Sequence, residues 1–484
     1  MAGPGPASAR HGALVATLAA LAFASCTPVR AQDAGAGGLG GVPDYPIPPS
    51  ARQAYSPIGE GFESPLDPRE DLRGPAPYVD DREPWLEGFS ERLQDQGPFL
   101  RDTRLWLNSR SYWMSEDIFG LLKPEALTTG GALAYESGYI ADFFQLRGAL
   151  YTSQPLYASQ DAGATLNLTP DGDQITTLGQ ASARLKYAGQ ELTAGRQLVR
   201  TPYINPNDFR MIPLTFEGVV LLPEESKERN LDYIASYLWR FKPRHLDDFI
   251  PFSEALGVAQ DEGVLITGAS YRGSQWNYGL VNYWIADTMN TAYGEIDYTL
   301  PFGGDDRVPG FRLSVNNADQ RSVGEDLMPD APFHTFQASA RLIASYQNFV
   351  LTGAVSQVGD EAPFVHPFGI SPVFTGMMIS SFQRAGELGY LLSLSYDFVS
   401  FGIDGLRVMV RYGRGVDALD AATGASLPDR DEIDLRLEYE PHGGPLEGLR
   451  VEIDYIDQRL IDVPLPGDNF TQFRAVVNYA IPLL

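Results

Sequence analysis

The sequence predicts an all-β protein, a transmembrane antiparallel β-barrel of about eighteen strands with short periplasmic turns and long external loops. Three observations carry this. From about Thr103 onward, apolar and polar residues alternate in segments of about ten residues, the length of a tilted membrane strand. The joints between these segments are short and long by turns. No later stretch holds the ~18 consecutive apolar residues that a membrane helix needs.

The chain opens as an export signal, expected over 1–31. Arg10 and His11 precede an apolar run, Ala13 to Ser25, and Val29-Arg30-Ala31 is a small-residue cleavage site. Ala24-Ser25-Cys26 loosely matches a lipoprotein-processing signal, which stands as the alternative. With cleavage after Ala31 the mature chain keeps no cysteine, since Cys26 is the single one, so no disulfide framework is expected. Residues 32–98 are expected to form a Pro/Gly-rich periplasmic extension. They begin with the Gly35–Gly41 tract and continue through Pro46, Pro48, Pro49, Pro57, Pro65, Pro68, Pro75 and Pro77. Proline removes ladder donors and glycine loosens the chain.

The barrel is expected over 99–484. Ile433, Leu435, Leu437 and Tyr439 alternate with Glu432, Asp434, Arg436 and Glu438. Leu449, Val451, Ile453 and Tyr455 alternate with Arg450, Glu452 and Asp454. Similar stripes are Leu231 to Trp239, Phe336 to Tyr346 and Leu388 to Phe398. Successive strand side chains point to opposite faces, so each segment has one greasy and one polar face. A soluble sandwich alternates too, but these stripes end in Tyr, Trp or Phe, as membrane girdles do. Tight joints are read near Ala141-Asp142, Ala188-Gly189, Gln347-Asn348 and Phe401–Gly405. A medium joint is read at Pro441–Gly448, and long joints at 114–128, 153–177, 199–214, 244–262, 320–334, 358–384 and 414–430. Between Val264 and Ile285 the facing is ambiguous. The final stripe, Phe473 to Ile481, would close on the first strand and leave no open edge in lipid.

Composition narrows function. Lys+Arg total 36 against 62 Asp+Glu, a net charge of -26, so no basic surface for nucleic acid is expected. Histidines 11, 245, 334, 366 and 442 are widely separated, and no H-E-x-x-H, G-x-S-x-G or C-x-x-C occurs. No catalytic residue, metal or cofactor is expected. Asp171-Gly172-Asp173 and Asp305-Asp306 read as acidic turns, since neither continues as an EF-hand.

Certain segments are familiar. Thr103–Trp113, Gly131–Gly138, Asn207–Gly218 (NDFRMIPLTFEG), Lys242-Pro243-Arg244, Ser253-Glu254-Ala255, Arg411-Tyr412 with Gly415, and Tyr479–Leu483 together resemble the OprD family of substrate-selective bacterial outer-membrane porins. The resemblance covers about 99–484. It implies an eighteen-stranded barrel in the outer membrane, one narrow pore per chain, with a monomer expected and a trimer the alternative. It also implies passive uptake of small carboxylate-bearing solutes such as amino acids and aromatic or other organic acids, a ladder of lumen arginines, and inward-folded external loops. Two features depart from the pattern: the proline-rich segment before the barrel, and Leu484 where an aromatic is usual.

Fixed charges in a narrow lumen act through a lower effective dielectric than bulk water, and arginine grips carboxylates through a planar fork. Strand phase puts Arg407, Arg411, Arg436, Arg450 and Arg341 on polar faces, and these five form the expected basic track. Arg104, Arg110, Arg184, Lys186, Arg312 and Arg474 share that facing. The competing reading pairs the track arginines with Asp434, Glu452 and Asp454 as wall stiffeners. In loop 199–214, Tyr203, Asn207, Asp208 and Arg210 are expected to narrow the pore, with the 358–384 loop sharing the constriction. The alternatives are a general or sugar-type channel, a soluble surface β-sheet binding protein, and a membrane-barrel hydrolase.

Overall fold

A computed structural model describes residues 84–224, 229–300, 310–329, 332–441, 443–461, 463 and 469–484. The expected signal peptide, most of the extension, His442 and Asp305-Asp306 lie outside the described residues.

The strands follow one another in order. They are β1 (Arg104–Ile118), β2 (Glu125–Glu136), β3 (Phe144–Ala158), β4 (Ile175–Tyr187), β5 (Gln190–Gln197) and β6 (Thr215–Pro223). Then come β7 (Leu231–Lys242), β8 (Ile250–Pro251), β9 (Val264–Arg272), β10 (Trp276–Ile285), β11 (Met289–Thr299) and β12 (Gly310–Ser322). The last seven are β13 (His334–Tyr346), β14 (Phe349–Val358), β15 (Leu388–Asp397), β16 (Leu406–Val416), β17 (Arg430–Tyr439), β18 (Leu449–Leu460) and β19 (Asn469–Pro482). Every neighbouring pair is antiparallel. The two-residue β8 lies against the outer end of β7, while β7 itself pairs with β9. Eighteen strands therefore form the ring. β19 closes it on β1 from Trp106↔Pro482 to Ile118↔Phe470, which satisfies every strand edge inside the bilayer.

The greasy stripes face outward. Leu435, Leu437, Leu392 and Leu394 are exposed on the ring, while their polar neighbours Asp434, Arg436, Glu438, Ser393 and Ser395 are buried; Leu342 and Leu351 are exposed likewise. Aromatics flank this band. Tyr187, Trp276, Tyr278, Tyr346, Phe349 and Phe401 stand outward near the periplasmic ends, and Trp113, Trp239, Trp284, Phe336, Tyr390 and Tyr412 toward the external ends. Phe349 and Tyr396 stack across strands with ring centroids 4.5 Å apart.

Two expectations change. The loop read at 114–128 shrinks to 119–124, because β1 runs on for 15 residues and β2 starts at Glu125. Alternation inverts there: Met114 and Ile118 are buried inward while Ser115 and Asp117 face out. Above the bilayer the outside meets water and the inside meets packed loops. External joints are also not all long, since β10 and β11 are linked by residues 286–288 alone. Near the barrel, the proline-rich segment ends in helices α1 (Glu87–Gln94) and α2 (Pro98–Arg101). Trp85 and Leu86 donate backbone N–H to Pro482 and Leu483 at 2.9 and 3.2 Å, and Gly138 donates to Phe99 at 2.9 Å. This piece is therefore tied to both ends of the barrel chain.

The largest apolar core lies inside the ring. The external loops 198–214 (L3), 243–263 (L4) and 359–387 (L7) bring Tyr203, Phe252, Phe364 and Phe368 against Phe216, Phe241, Tyr283 and Tyr293 of the β6–β11 wall. Phe252 packs on Phe368 at 4.8 Å and on Phe241 at 5.1 Å. This explains the ambiguity between Val264 and Ile285. β9 and β10 bury Val264, Ile266, Val281 and Ile285 on loops and show Leu265, Leu280 and Trp284 to lipid, so both faces must be apolar.

Candidate functional site

L3 crosses the lumen. Pro206 stiffens its middle and Pro213 its end, and Asn207 takes a left-handed turn (φ 44°). At one wall Asp208 receives the Arg110 fork at 2.9 and 3.1 Å. Arg110 also donates to the Arg210 carbonyl and, at 2.6 Å, to Asn478. Tyr112 donates its hydroxyl to the Phe209 carbonyl at 3.1 Å. Arg210 is buried, with Nε on the Thr165 carbonyl at 3.0 Å. Asn207 accepts from Arg244 at 3.1 Å. Toward the far wall Tyr203 donates to Gln337 at 3.2 Å and its N–H meets the Tyr283 hydroxyl at 3.1 Å. Of the four expected constriction residues, Asp208 keeps the most access to lumen water, with 29% of its side chain exposed. Burial pushes its carboxyl up to about 6, against the opposing pull of Arg110.

L7 meets L3 and lies on the β16–β18 wall. Asn205 of L3 exchanges two 2.9 Å hydrogen bonds with the Ile370 backbone of L7. At the L7 tip three successive amides point at two wall carboxylates. Met378 N–H donates to Asp434 at 3.1 Å, Ile379 to Glu432 at 2.8 Å, and Ser380 to Glu432 at 2.7 Å. Arg411 donates to the Gly376 carbonyl. The close approach needs bare backbone beneath it, because a Cβ on Gly413 would sit 2.6 Å from Met377 Cγ and one on Gly415 2.5 Å from Phe382 Cδ1. At its base, Glu387 takes forks from both Arg384 (2.6 Å) and Arg430 (2.8 Å).

The expected track divides. Arg407, Arg436 and Arg450 join one interlocked network with carboxylates. Arg407 pairs with Glu438 at 2.5 Å. Arg436 grips Asp454 at 2.5 and 2.8 Å and reaches Glu452 at 3.1 Å. Arg450 lies between Glu438 and Glu452 at 3.6 and 3.4 Å, with 23% of its side chain exposed. Arg411 holds L7. Arg341 stands apart on β13, its guanidinium 4.2 Å over the Phe374 ring of L7. The remaining inward cations are spread around the ring. Arg184 pairs with Glu191 at 2.9 Å, Arg312 pairs with Asp297 at 3.2 Å, and Lys186 stands 4.4 Å over Tyr139. Arg104 is exposed at the start of β1, and Arg474 donates to Gln472. Burial keeps His245 (pulled down to about 4) and His366 neutral, so neither adds charge to the lumen.

Sequence reasoning passed over Arg147 and Glu136 and the anchors Arg244 and Glu387. It also passed over the lumen tyrosines 283 and 293. The phase of β3 would have found Arg147, since Leu146 and Leu150 face out on either side. The tyrosines carry no such sign, because Tyr fits a lipid face as well.

A family model described as outer membrane porin, OprD family, matches residues 97–483. Porin D of Pseudomonas aeruginosa is 23% identical over 434 residues, which cover 82% of this chain and 94% of that protein. The porin-like protein GalP of Pseudomonas putida is 23% identical over 407 residues, covering 80% and 93%. Among solved structures, Pseudomonas aeruginosa OccK9 (OpdG) superposes with a TM-score of 0.71 at 23% identity, over 80% of this chain and all of that one. Pseudomonas aeruginosa OpdK, solved with vanillate, gives 0.70 at 24% identity, over 79% of this chain and all of that one.

Proposed function

The chain belongs to the OprD family of outer-membrane porins, a passive channel of the bacterial outer membrane, and from that premise we propose that its solutes are small molecules bearing a carboxylate. The observation that carries this is the Arg407–Glu438–Arg450–Glu452–Arg436 network facing the lumen beside the L3–L7 constriction. Each guanidinium there is held by a wall carboxylate, and a solute carboxylate passes by exchanging with one. Such exchange binds well enough to admit a solute and weakly enough to release it. Arg450 is the exchange point, as the wettest of the three. That OpdK was solved with vanillate, an aromatic carboxylate, supports the same solute class. On this reading Asp208 and Arg110 mark the L3 side of the eyelet. Residues 1–31 act as a cleaved export signal and 32–98 as a periplasmic extension, and the chain works as a monomer. The family match beginning at residue 97 supports that division.

The test is single-channel recording in a planar lipid bilayer with detergent-purified mature protein. Benzoate, arginine, glutamate and maltose are added in turn to wild type and to a variant with Arg436→Gln and Arg450→Gln. Block by benzoate or glutamate that weakens in the variant is expected. Equal block of both proteins, or steps indifferent to every solute, would overturn the carboxylate reading.

A further inference from the structure

The ring closes where β19 meets β1, and one row of side chains at that seam breaks step. The register places Ile481, Leu107, Leu133 and Leu150 side by side across β19, β1, β2 and β3. All four have the lipid-facing phase. Leu107, Leu133 and Leu150 are 37%, 41% and 45% exposed, as side chains that meet acyl chains are, but Ile481 is only 9% exposed. The break falls beside Pro482, where Trp85 and Leu86 bond to the strand end. The chain that leads into the barrel therefore joins it on the lipid side of the periplasmic rim.

The joint is firm at both ends. On the β18 side, Ala480 donates its N–H to Gly448 at 3.1 Å, and Pro482 has no N–H to give. The Pro482 and Leu483 carbonyls then accept from Trp85 and Leu86 at 2.9 and 3.2 Å, which satisfies backbone acceptors close to lipid. Further along, the Phe99 carbonyl accepts from the Gly138 N–H at 2.9 Å and the Thr103 hydroxyl at 3.0 Å. The approach needs glycine, because a Cβ on Gly138 would collide with the Pro98 carbonyl.

Between these ties α1 buries no residue. Leu86, Phe89 and Leu93 recur at i, i+3 and i+7 and make one face, while Glu87, Glu91 and Gln94 make the other. Trp85, Leu86, Phe89 and Leu100 stand exposed, as do Ile140 and Phe143 of the neighbouring β2–β3 turn. A face of this kind seats at the boundary between lipid headgroups and acyl chains, where an indole is also favoured. The outward aromatics at the periplasmic ends of the strands mark the same boundary, so this face continues the surface that the barrel already gives to lipid.

We propose that residues 84–101 form an interfacial anchor. In this arrangement α1 lies flat on the periplasm-facing leaflet beside the β19–β1 seam, with Trp85 and Phe89 sunk among phospholipid headgroups and upper acyl chains, and Glu87 and Glu91 toward water. The anchor goes beyond the solute reading and uses none of the lumen arginines. It sits where ring closure joins strands from opposite ends of the chain, and it holds that joint against the leaflet.

The experiment places the mature protein in phosphatidylcholine vesicles. The chain has six tryptophans, so the emission of Trp85 is taken as the difference between wild type and Trp85→Phe. Two quenchers are compared: phosphatidylcholine brominated near the carboxyl end of an acyl chain, and iodide present on both sides of the membrane. Trp85 is expected to lose most of its emission in the brominated vesicles and little of it to iodide. Loss to iodide alone would put α1 in water. Indifference to both would mean that a protein surface, such as a second copy of the chain, covers this face. Either result overturns the anchor. Phe89→Trp in the Trp85→Phe protein supplies a second reporter one turn further on. It should repeat the pattern, and a Phe89→Trp protein quenched by iodide instead of bromine would also overturn the proposal.

Discussion

The two halves of the lumen hold their loops by different physics. On the β6–β11 side, L3, L4 and L7 are fixed by a buried aromatic cluster around Phe252 and Tyr203. On the β16–β19 and β1 side, L3 and L7 touch the wall through hydrogen bonds to charged side chains. These run from Arg110 to Asp208, from the L7 amides to Glu432 and Asp434, and from Arg411 to Gly376. Apolar contact is non-directional and excludes water, so it anchors the loops without a path for solute. Ionic contact needs geometry and tolerates water, so solute can compete for it. The division teaches that one half of the lumen holds its loops by apolar ballast and the other by ionic and hydrogen-bonded contact.

The largest effect is expected from breaking the ballast. Phe252 is fully buried between Phe216, Phe241 and Phe368. Phe252→Ala should destabilise the loop cluster by about 3–5 kcal/mol, the usual cost of a large buried ring. Trypsin cleavage at Arg244, in L4, should then become fast while the barrel itself stays resistant to denaturation. A variant as resistant to trypsin as wild type would refute the anchoring role.

The charged half should give less stability and more conductance. Replacing Glu432 with Gln and Asp434 with Asn swaps the carboxyl acceptors of three L7 amides for side-chain amides. A typical intramolecular hydrogen bond contributes about 0.5–1.5 kcal/mol. The ballast still holds the base of L7, so the tip alone should loosen. Larger and noisier single-channel steps are expected, with unchanged thermal resistance of the barrel. Steps of wild-type size would mean the tip is held by Met378, Met409 and Ile456 packing instead.

The same division explains what the sequence made legible. Within the bilayer, lipid outside and water or polar loops inside impose strict alternation, and the stripes of β7, β15 and β17 face as their phase required. The ring closure and the inward facing of Arg407, Arg411, Arg436, Arg450 and Arg341 follow from that. Above the bilayer the environments exchange, so Met114 and Ile118 turn inward and the first loop was read too long. Against the ballast both faces are apolar, so β9 and β10 had no readable phase. Partners across the lumen were not readable at all. Asp208 meets Arg110 98 residues away, and period-two patterning carries no information about such contacts. Height in the pore was equally hidden, and nothing in the pattern of β16 sets Arg411 beside the Gly376 carbonyl of L7.

The smallest expected effect is a pH shift in selectivity, and its sign separates charge from structure. The Asp208 carboxyl, pushed up to about 6 by burial, faces Arg110, Arg200 and Arg450. An acid whose folded value lies above its ordinary one is favoured protonated, so L3 anchoring strengthens as pH falls through about 6 toward the usual carboxylate range. The loop should therefore stay in place at pH 5. Its eyelet, however, loses a negative charge beside three guanidiniums, and anion preference should rise. Reversal potentials across a potassium chloride gradient at pH 7 and pH 5 read this directly. Asp208→Asn should show the pH 5 value at both. Salt screens lumen charge less than surface charge, so the shift should persist at 0.1 M and shrink at 1 M, where the screening length falls to about 3 Å. An Asp208→Asn channel that still shifts as much as wild type would move the titration to another carboxyl of the lumen, and the eyelet would then take its selectivity from the β16–β18 wall alone.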